Sequence, residues 1–247
     1  MSKLRDLVRQ AGRSRSEAIG FARMTSGSRS LPIVIVAVVN DDVTARSAIE
    51  AQASALLYVG PLDGVESVVE VAGSRPVGCR LEHARGGEAA ELAELGVDFL
   101  VFDDGRAEAA ALRPPELGRV VLLTGDENEE RLRTLAALEP DAGLVAQPSD
   151  VTDGGRVSAR ALAALRRRAE LLNAPLAIEA SAVDADTLEA WRDAAAPILV
   201  VATDLVAEAV AAASHVAPPR GRLRDRPSAL LTFATARTEE VHEHDDD

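Results

Sequence analysis

The chain has very little cysteine, and this scarcity excludes two classes of site. A single cysteine, Cys79, stands among 247 residues, so one chain can form neither an intrachain disulfide framework nor a metal cluster built from cysteine alone. Such usage is typical of a reducing cytoplasm, where we expect the protein to reside. The longest apolar run, residues 31–39, is much too short to span a bilayer, and the N-terminus lacks the pattern of a signal peptide.

Aromatic side chains are also scarce, and acidic residues outnumber basic ones by 40 to 27. The formal net charge is −13, and aromatic residues make up only 2% of the chain. Nucleic-acid binders need a basic surface that displaces counterions from phosphates, and single-strand binders stack bases on aromatic rings. We therefore expect neither a nucleic-acid partner nor a membrane partner, whereas a small-molecule ligand and a homo-oligomer remain open.

What the chain does contain is one repeated unit. Eight times between Leu31 and Val216, a short aliphatic run is followed by a polar or acidic break and then by a helical stretch rich in Ala, Leu, Glu and Arg. Several runs are almost wholly apolar, as expected for parallel strands that are covered on both faces. The predicted strands are residues 33–40, 55–60, 77–82, 98–103, 119–124, 142–147, 176–181 and 198–203.

This order of elements resembles the (β/α)8 or TIM barrel superfold across residues 31–216. An open doubly wound sheet is the rival, but it more usually has a glycine-rich first turn, and residues 39–42 contain no glycine. We expect an α/β protein with a single barrel domain after a basic N-terminal helical extension and linker (1–30). A C-terminal extension that packs on the barrel or a partner (217–235) and a disordered acidic tail (236–247) follow it. No motif selects a family within the superfold.

The resemblance places any active site at the carboxyl ends of the strands, and what is missing there restricts the chemistry. Lys3 is the only lysine and precedes the first strand, which excludes a Schiff-base aldolase and disfavours pyridoxal phosphate. The turns after the last two strands, 179–183 and 202–205, contain no glycine, whereas phosphate-binding barrels use glycine-rich loops there. Phosphorylated substrates and flavin are therefore disfavoured, while a divalent metal remains open.

Acidic residues are concentrated at the predicted strand ends, and they admit two interpretations. Hard oxygen ligands could form a metal site, but aspartate is also a preferred N-cap of helices. Three aspartates are each followed three residues later by glutamate, as in a capping box, and two more open a helical stretch with glutamate four residues on. We interpret all five first as helix caps: Asp63, Asp126, Asp186, Asp104 and Asp204.

Alternation along the strands predicts which side chains face the barrel interior. If Leu176 and Ile178 face the helices, Glu179 points inward, and the same reasoning turns Cys79 outward as a buried packing residue. Asn40, Tyr58 and Asp104 lie at the ends of further strands and are additional candidates for the barrel mouth. The inward positions predicted for the third, sixth, seventh and eighth strands are Gly78, Arg80, Glu82, Gly143, Val145, Gln147, Ala177, Glu179, Ser181, Val200, Ala202 and Asp204.

These positions lead to two function hypotheses of different class. A charge inside a barrel is costly unless it is paired, so we expect Arg80 to pair with Glu179 or Glu82. The first hypothesis is a metal- or acid/base-assisted lyase or hydrolase of a small carboxylate or carbonyl compound. The second is a non-catalytic barrel that acts as a binding or assembly subunit through its basic N-terminal helix and C-terminal extension. For the enzyme, the candidate catalytic residues are Glu179, Glu82 and Asp204, and the candidate substrate-binding residues are Arg80, Gln147 and Asn40.

Overall fold

The computed structural model describes residues 2–12, 31–146, 157–181 and 184–217, and it confirms the predicted fold. Eight strands form one closed barrel in the order β1 to β8, and each strand is parallel to its neighbours. Gln147, the linker before Leu31 and the predicted acidic tail lie outside the described residues. The strands are β1 Val34–Val39, β2 Ala55–Tyr58, β3 Val77–Arg80, β4 Phe99–Phe102, β5 Gly118–Leu123, β6 Ala142–Val145, β7 Leu176–Glu179 and β8 Ile198–Ala202.

Helices surround the barrel, with one exception in the fourth unit. There the connection from β4 to β5 holds only a 3-10 turn, Ala109–Leu112, because Pro114 and Pro115 follow at once and cannot extend a helix. No helix among the described residues is long and apolar enough to cross a membrane. The helices are α1 Lys3–Ala11, α2 Asp42–Glu50, α3 Val65–Ala72, α4 Gly86–Glu94, α5 Glu129–Ala136, α6 Ala159–Leu172, α7 Ala185–Asp193 and α8 Val206–His215.

The strands end earlier than their apolar runs suggest. β3 ends at Arg80 and β7 at Glu179, and in each case one more backbone amide continues the ladder: Leu81 donates to Val101 and Ala180 donates to Val200. The predicted strand ends therefore overshoot by up to two residues. As a result, Arg80 and Glu179 are the last side chains that the barrel itself positions, and Glu82 belongs to the loop above.

Side chains on the two faces of the strands form separate apolar layers. The interior layer contains Ala177 of β7 and Val200 of β8, whereas Cys79 belongs to the layer between strands and helices. This confirms the alternation predicted for β7 and for the start of β8. Because side chains alternate along a strand, Arg80 shares the inner face of β3 with Gly78.

The alternation predicted for β6 is wrong. Ala142 and Leu144 face the interior, and Val145 packs in the outer layer. A methyl group on Gly143 would lie 2.6 Å from the Leu172 side chain of α6, so the missing side chain lets that helix approach the sheet. Every residue of this strand is apolar or glycine, so the sequence offers no contrast that distinguishes its faces.

The prediction for Tyr58 is also wrong, because its ring lies in the outer apolar layer and not at the mouth. Its hydroxyl group donates to the Pro61 carbonyl oxygen at 2.7 Å. Burial raises the pKa of Tyr58 above its usual value. The hydroxyl also occupies the space beside Gly60 and Gly64, where added methyl groups would lie 2.6 and 2.3 Å from it.

Helix α1 closes the bottom of the barrel, at the amino ends of the strands. Leu4 inserts into the interior layer and is only 2% exposed. The carboxylate of Asp98 accepts hydrogen bonds from the Ser2 hydroxyl group (3.0 Å) and from the backbone amides of Lys3 (2.7 Å) and Leu4 (2.9 Å). Asp98 thus binds the first-turn amides that a helix leaves unpaired, and any ligand must reach the barrel from the opposite end.

Candidate functional site

A cavity of about 360 Å³ opens at the carboxyl ends of β2 to β5. Its apolar floor and walls include Val101, Phe102 and Leu122. Its charged lining residues are Arg80, Glu82, Asp103 and Arg106. The cavity therefore combines an apolar base with charges of both signs, as small-molecule sites commonly do.

Arg80 and Glu179 form an ion pair across the mouth. In a closed ring of eight strands, β3 and β7 lie opposite one another, so the pair spans the barrel axis above the interior layer. Arg80 Nη1 lies 3.6 Å from Glu179 Oε2, and the two side chains are 35% and 39% exposed. This pairing is one of the two that the sequence predicts, but the distance is too long for a hydrogen bond.

Below the pair the barrel is filled. A methyl group on Gly78 would lie 2.0 Å from the Phe99 ring, so the absent side chain of Gly78 allows the ring to occupy the interior. The residual cavity in this layer holds only about 10 Å³, roughly the size of a single water. A ligand of any size must therefore bind at the mouth.

Arg106 forms the outer wall of the cavity with two carboxylates. Its Nη1 lies 3.1 Å from Glu82 Oε1, and its Nε lies 3.8 Å from Asp103 Oδ2. The other oxygen of Asp103 accepts the Gly105 amide at 2.9 Å. Two carboxylates share this one guanidinium, so this corner of the mouth has a formal surplus of one negative charge.

The loops after β3 and β4 are joined, which fixes this wall. The Glu108 amide donates to the Ala84 carbonyl oxygen at 2.8 Å, and the Glu108 carboxylate accepts the Gly86 amide at 3.0 Å. Gly86 begins α4, so a residue from the next loop caps that helix. The short 3-10 turn of the fourth unit makes this possible, because it keeps its loop close to α4.

Sequence reasoning missed Arg106 and did not single out Asp103. Both lie in the fourth unit, where the sequence suggests an ordinary strand, cap and helix. Asp104, the expected cap and candidate mouth residue, instead pairs with Arg131 of α5 at 2.8 Å. A usable signal was the Pro114-Pro115 pair, which rules out a normal helix and leaves a long loop.

Asn40, Asp204 and Glu179 are not among the residues that line the cavity, although Glu179 contacts the lining residue Arg80. Asn40 Oδ1 accepts the Thr44 hydroxyl at 3.1 Å, next to the capping box of α2, in which Asp41 accepts the Thr44 amide at 2.7 Å. That hydrogen bond holds the pKa of Asp41 below its usual value. Asp204 is exposed in the 3-10 turn Thr203–Leu205. No described hydrogen bond or ion pair joins Asn40 or Asp204 to the Arg80–Glu179 pair.

The capping predictions need correction in detail. Asp184 caps α7 through the Thr187 amide, and Asn128 caps α5 through the Arg131 amide. Neither α3 nor α8 has a side-chain cap, because each is preceded by a 3-10 turn that already supplies the first bonds. The five aspartates assigned from the sequence are therefore not caps. They are Asp63, Asp104, Asp126, Asp186 and Asp204.

The remaining acids do not converge. Within the described ranges, no three His, Cys, Asp or Glu side chains come together in the manner of a metal site. Asp126 instead accepts the Thr124 hydroxyl group, which lowers the pKa of that carboxyl. At the barrel mouth, the charged side chains that come together in this part of the chain are arginines and carboxylates.

Comparison with known proteins supports the fold and gives no family. No family model matches the chain, and no curated protein matches it. KGPDC from Streptococcus mutans is similar in structure, with a TM-score of 0.58 at 15% identity over 74% of this chain and 96% of that one. A mutant tryptophan synthase alpha-subunit from Pyrococcus furiosus has a TM-score of 0.56 at 14% identity, and the match covers 71% of this chain and 89% of that one. A putative lyase/mutase from Burkholderia cenocepacia has a TM-score of 0.52 at 16% identity, and the match covers 72% of this chain and 79% of that one. At such identities the similarity establishes the (β/α)8 barrel alone.

Proposed function

We propose that the protein is an acid/base lyase or hydrolase that binds a small carboxylate or carbonyl compound in the cavity at the barrel mouth. The observation that carries the proposal is the stretched Arg80–Glu179 pair at 3.6 Å. It stands at strand ends, where barrel enzymes place catalytic groups. The structural neighbours include a synthase subunit and a putative lyase/mutase, which agrees with this class without selecting a reaction.

Arg80 has the donors to hold a carboxylate. Its guanidinium carries five N–H groups, and its one described charged contact is too long for a hydrogen bond. A substrate carboxylate could accept two parallel N–H bonds, which is the strongest geometry for this pair. Binding would therefore replace a weak internal contact with a better one.

Glu179 is suited to move a proton once Arg80 turns to the substrate. Its side chain is 39% exposed and has one described ionic contact, with Arg80, so a substrate can reach its carboxylate. In a lyase, Glu179 would take a proton from the carbon beside the carbonyl group and then pass it to the leaving group, while Glu82, paired with Arg106, would help to bind the substrate. In a hydrolase, Glu179 would take the proton from water. The catalytic role of Asp204 stays a prediction, as do the binding roles of Gln147 and Asn40.

The alternative function, a non-catalytic binding or assembly subunit, has one observation in its favour. Val43 of α2 is 68% exposed and Val59 after β2 is 38% exposed, both at the mouth end. The helix on which this alternative relies is nevertheless used within the chain, because Leu4 and Ala11 of α1 are buried against the barrel. An open, charged mouth favours the enzyme.

A thermal-shift screen with small carboxylates and divalent metals tests the proposed function. We expect a carboxylate to raise the melting temperature of the wild type and to have little effect on Arg80→Met. Glu179→Gln should still bind the carboxylate but should have lost any turnover that the wild type shows. Absence of a shift with every ligand, together with no effect of either substitution, would contradict the proposal.

A matched control is available on α6. Arg166 and Glu170 also form an exposed pair at 3.6 Å, and neither residue lines the cavity. Glu170→Gln removes the same charge and breaks a pair of the same length. It should leave both the ligand-induced shift and any turnover unchanged.

A further inference from the structure

We propose that the ligand of the mouth cavity is a zwitterion, a small compound with a carboxylate at one end and an ammonium group at the other. This inference rests on the proposed function, because it names the substrate class of the same site. It follows from the unequal distribution of charge in the cavity lining, where the loops after β3 and β4 carry a surplus of acid and Arg80, at the end of β3, is incompletely bonded.

The acidic side comprises Glu82, Asp103 and Arg106. Arg106 is 3.1 Å from one carboxylate and 3.8 Å from the other, so one positive charge faces two negative ones. Glu82 is 78% exposed, and its second oxygen has no hydrogen-bond donor among the described residues. This side can accept hydrogen bonds from an added cation and gains charge balance when it does so.

The basic side is Arg80. Glu179 is its one described ionic partner, at a distance that leaves the N–H groups of the guanidinium without a short acceptor. It can therefore donate to a carboxylate without first losing a hydrogen bond. The carboxylate end of the ligand belongs on this side.

The spacing of the two sides suits a short ω-amino acid. Arg80, the last residue of β3, pairs in register with Val101, so Glu82 and Asp103 each lie two residues further along, in the loops above the strands, where both contact Arg106. Two residues of chain span at most about 7 Å. A chain of two to four methylene groups between ammonium and carboxylate covers a separation of this order.

Two simpler ligand classes fit less well. A dicarboxylate would place its second negative charge beside Glu82 and Asp103, where Arg106 is already shared. A monocarboxylate with an apolar tail would leave that surplus charge unbalanced. The protein as a whole carries a formal charge of −13, which further disfavours a dianion relative to a neutral zwitterion.

Calorimetric titration of the full chain with three ligands of equal length tests the inference. The probes are γ-aminobutyrate, pentanoate and glutarate, which share a carboxylate and differ only in the other end. The same comparison is repeated with β-alanine and δ-aminovalerate and their counterparts of equal length. We expect the best zwitterion to bind about tenfold more tightly than its monoanionic and dianionic counterparts.

Charge-removing variants then locate the ammonium subsite. Asp103→Asn and Glu82→Gln should each weaken zwitterion binding by about tenfold and should leave pentanoate binding within a factor of about two. Glu94→Gln, on the exposed side of α4, removes the same charge away from the mouth and should change neither.

The outcomes separate this inference from the function on which it rests. If pentanoate or glutarate binds as tightly as the zwitterions, the zwitterion inference is overturned, whereas the carboxylate site survives. If neither acidic variant weakens zwitterion binding, the assignment of the acidic side is overturned. If none of the ligands binds, both the inference and the proposed function fail.

Discussion

Two carboxylates, one at each end of the barrel, differ in how completely the surrounding protein binds them. At the bottom, Asp98 is 7% exposed and accepts three hydrogen bonds of 2.7 to 3.0 Å from the start of α1. At the mouth, Glu179 is 39% exposed and has one ionic contact at 3.6 Å. Asp98 could bind a ligand only by giving up hydrogen bonds that stabilise the fold. Glu179 has a single long ionic contact to give up among the described residues.

The largest effect of a substitution at neutral pH is expected at the bottom of the barrel. Asp98→Ala removes the acceptor for three donors and releases the N-terminus of α1, so we expect the free energy of unfolding to fall by about 3 kcal/mol. Urea denaturation measures this loss. Carboxylate binding at the mouth should persist. If a still-folded Asp98→Ala variant lost carboxylate binding, the two ends of the barrel would not have separate structural and ligand-binding roles.

A second prediction concerns Cys79, which lies on the opposite face of β3 from Arg80. Burial raises the pKa of the Cys79 thiol to about 12 from a reference value of 9.0. The unfolded thiol ionises first as pH rises, so the stability that this group contributes is complete below pH 9 and is lost between pH 9 and 12. The expected slope is about 1.4 kcal/mol per pH unit, measured by urea denaturation across that window.

Cys79→Ala is the control for this slope. The raised pKa of Tyr58 acts in the same direction. The free energy of unfolding of the variant should therefore still fall as the pH rises, but less steeply than that of the wild type. An equal alkaline loss of stability in wild type and variant would show that the thiol does not titrate as described. In the native protein at neutral pH, a thiol reagent should modify Cys79 only as fast as the chain unfolds.

A smaller effect is expected where the loops after β3 and β4 are joined. Glu108→Ala removes the acceptor of the Gly86 amide at the start of α4, which should reduce stability by about 1 kcal/mol. Hydrogen exchange should show faster exchange at Gly86, and ligand affinity should fall because Arg106 and Glu82 are held less firmly. Unchanged exchange at that amide would contradict a structural link between the loops.

The smallest effect on stability is expected at the mouth itself. Exposed ion pairs contribute about 0.5 kcal/mol or less, so Arg80→Met and Glu179→Gln, separately and together, should leave the free energy of unfolding nearly unchanged. A double-mutant cycle by urea denaturation measures the coupling of the two. A coupling of several kcal/mol would assign the pair to the structure of the barrel and not to ligand binding.

The sequence predicts the barrel well because each strand carries its own apolar run, and it predicts Arg80 and Glu179 because polar and apolar residues alternate in β3 and β7. It fails on β6, where Ala142, Gly143, Leu144 and Val145 provide no alternation. It also fails in the fourth unit, where Arg106 reaches the cavity through a loop whose path depends on contacts with α4. Tertiary contacts of this kind leave no periodic signal in the sequence.

Titration of wild type and Arg80→Met with γ-aminobutyrate, combined with urea denaturation of both, tests most directly whether the mouth pair serves a ligand and not the fold. We predict that the variant binds at least about tenfold more weakly while its free energy of unfolding stays within about 0.5 kcal/mol of wild type. Equal affinity of the two proteins, or a stability loss of several kcal/mol in the variant, would contradict it.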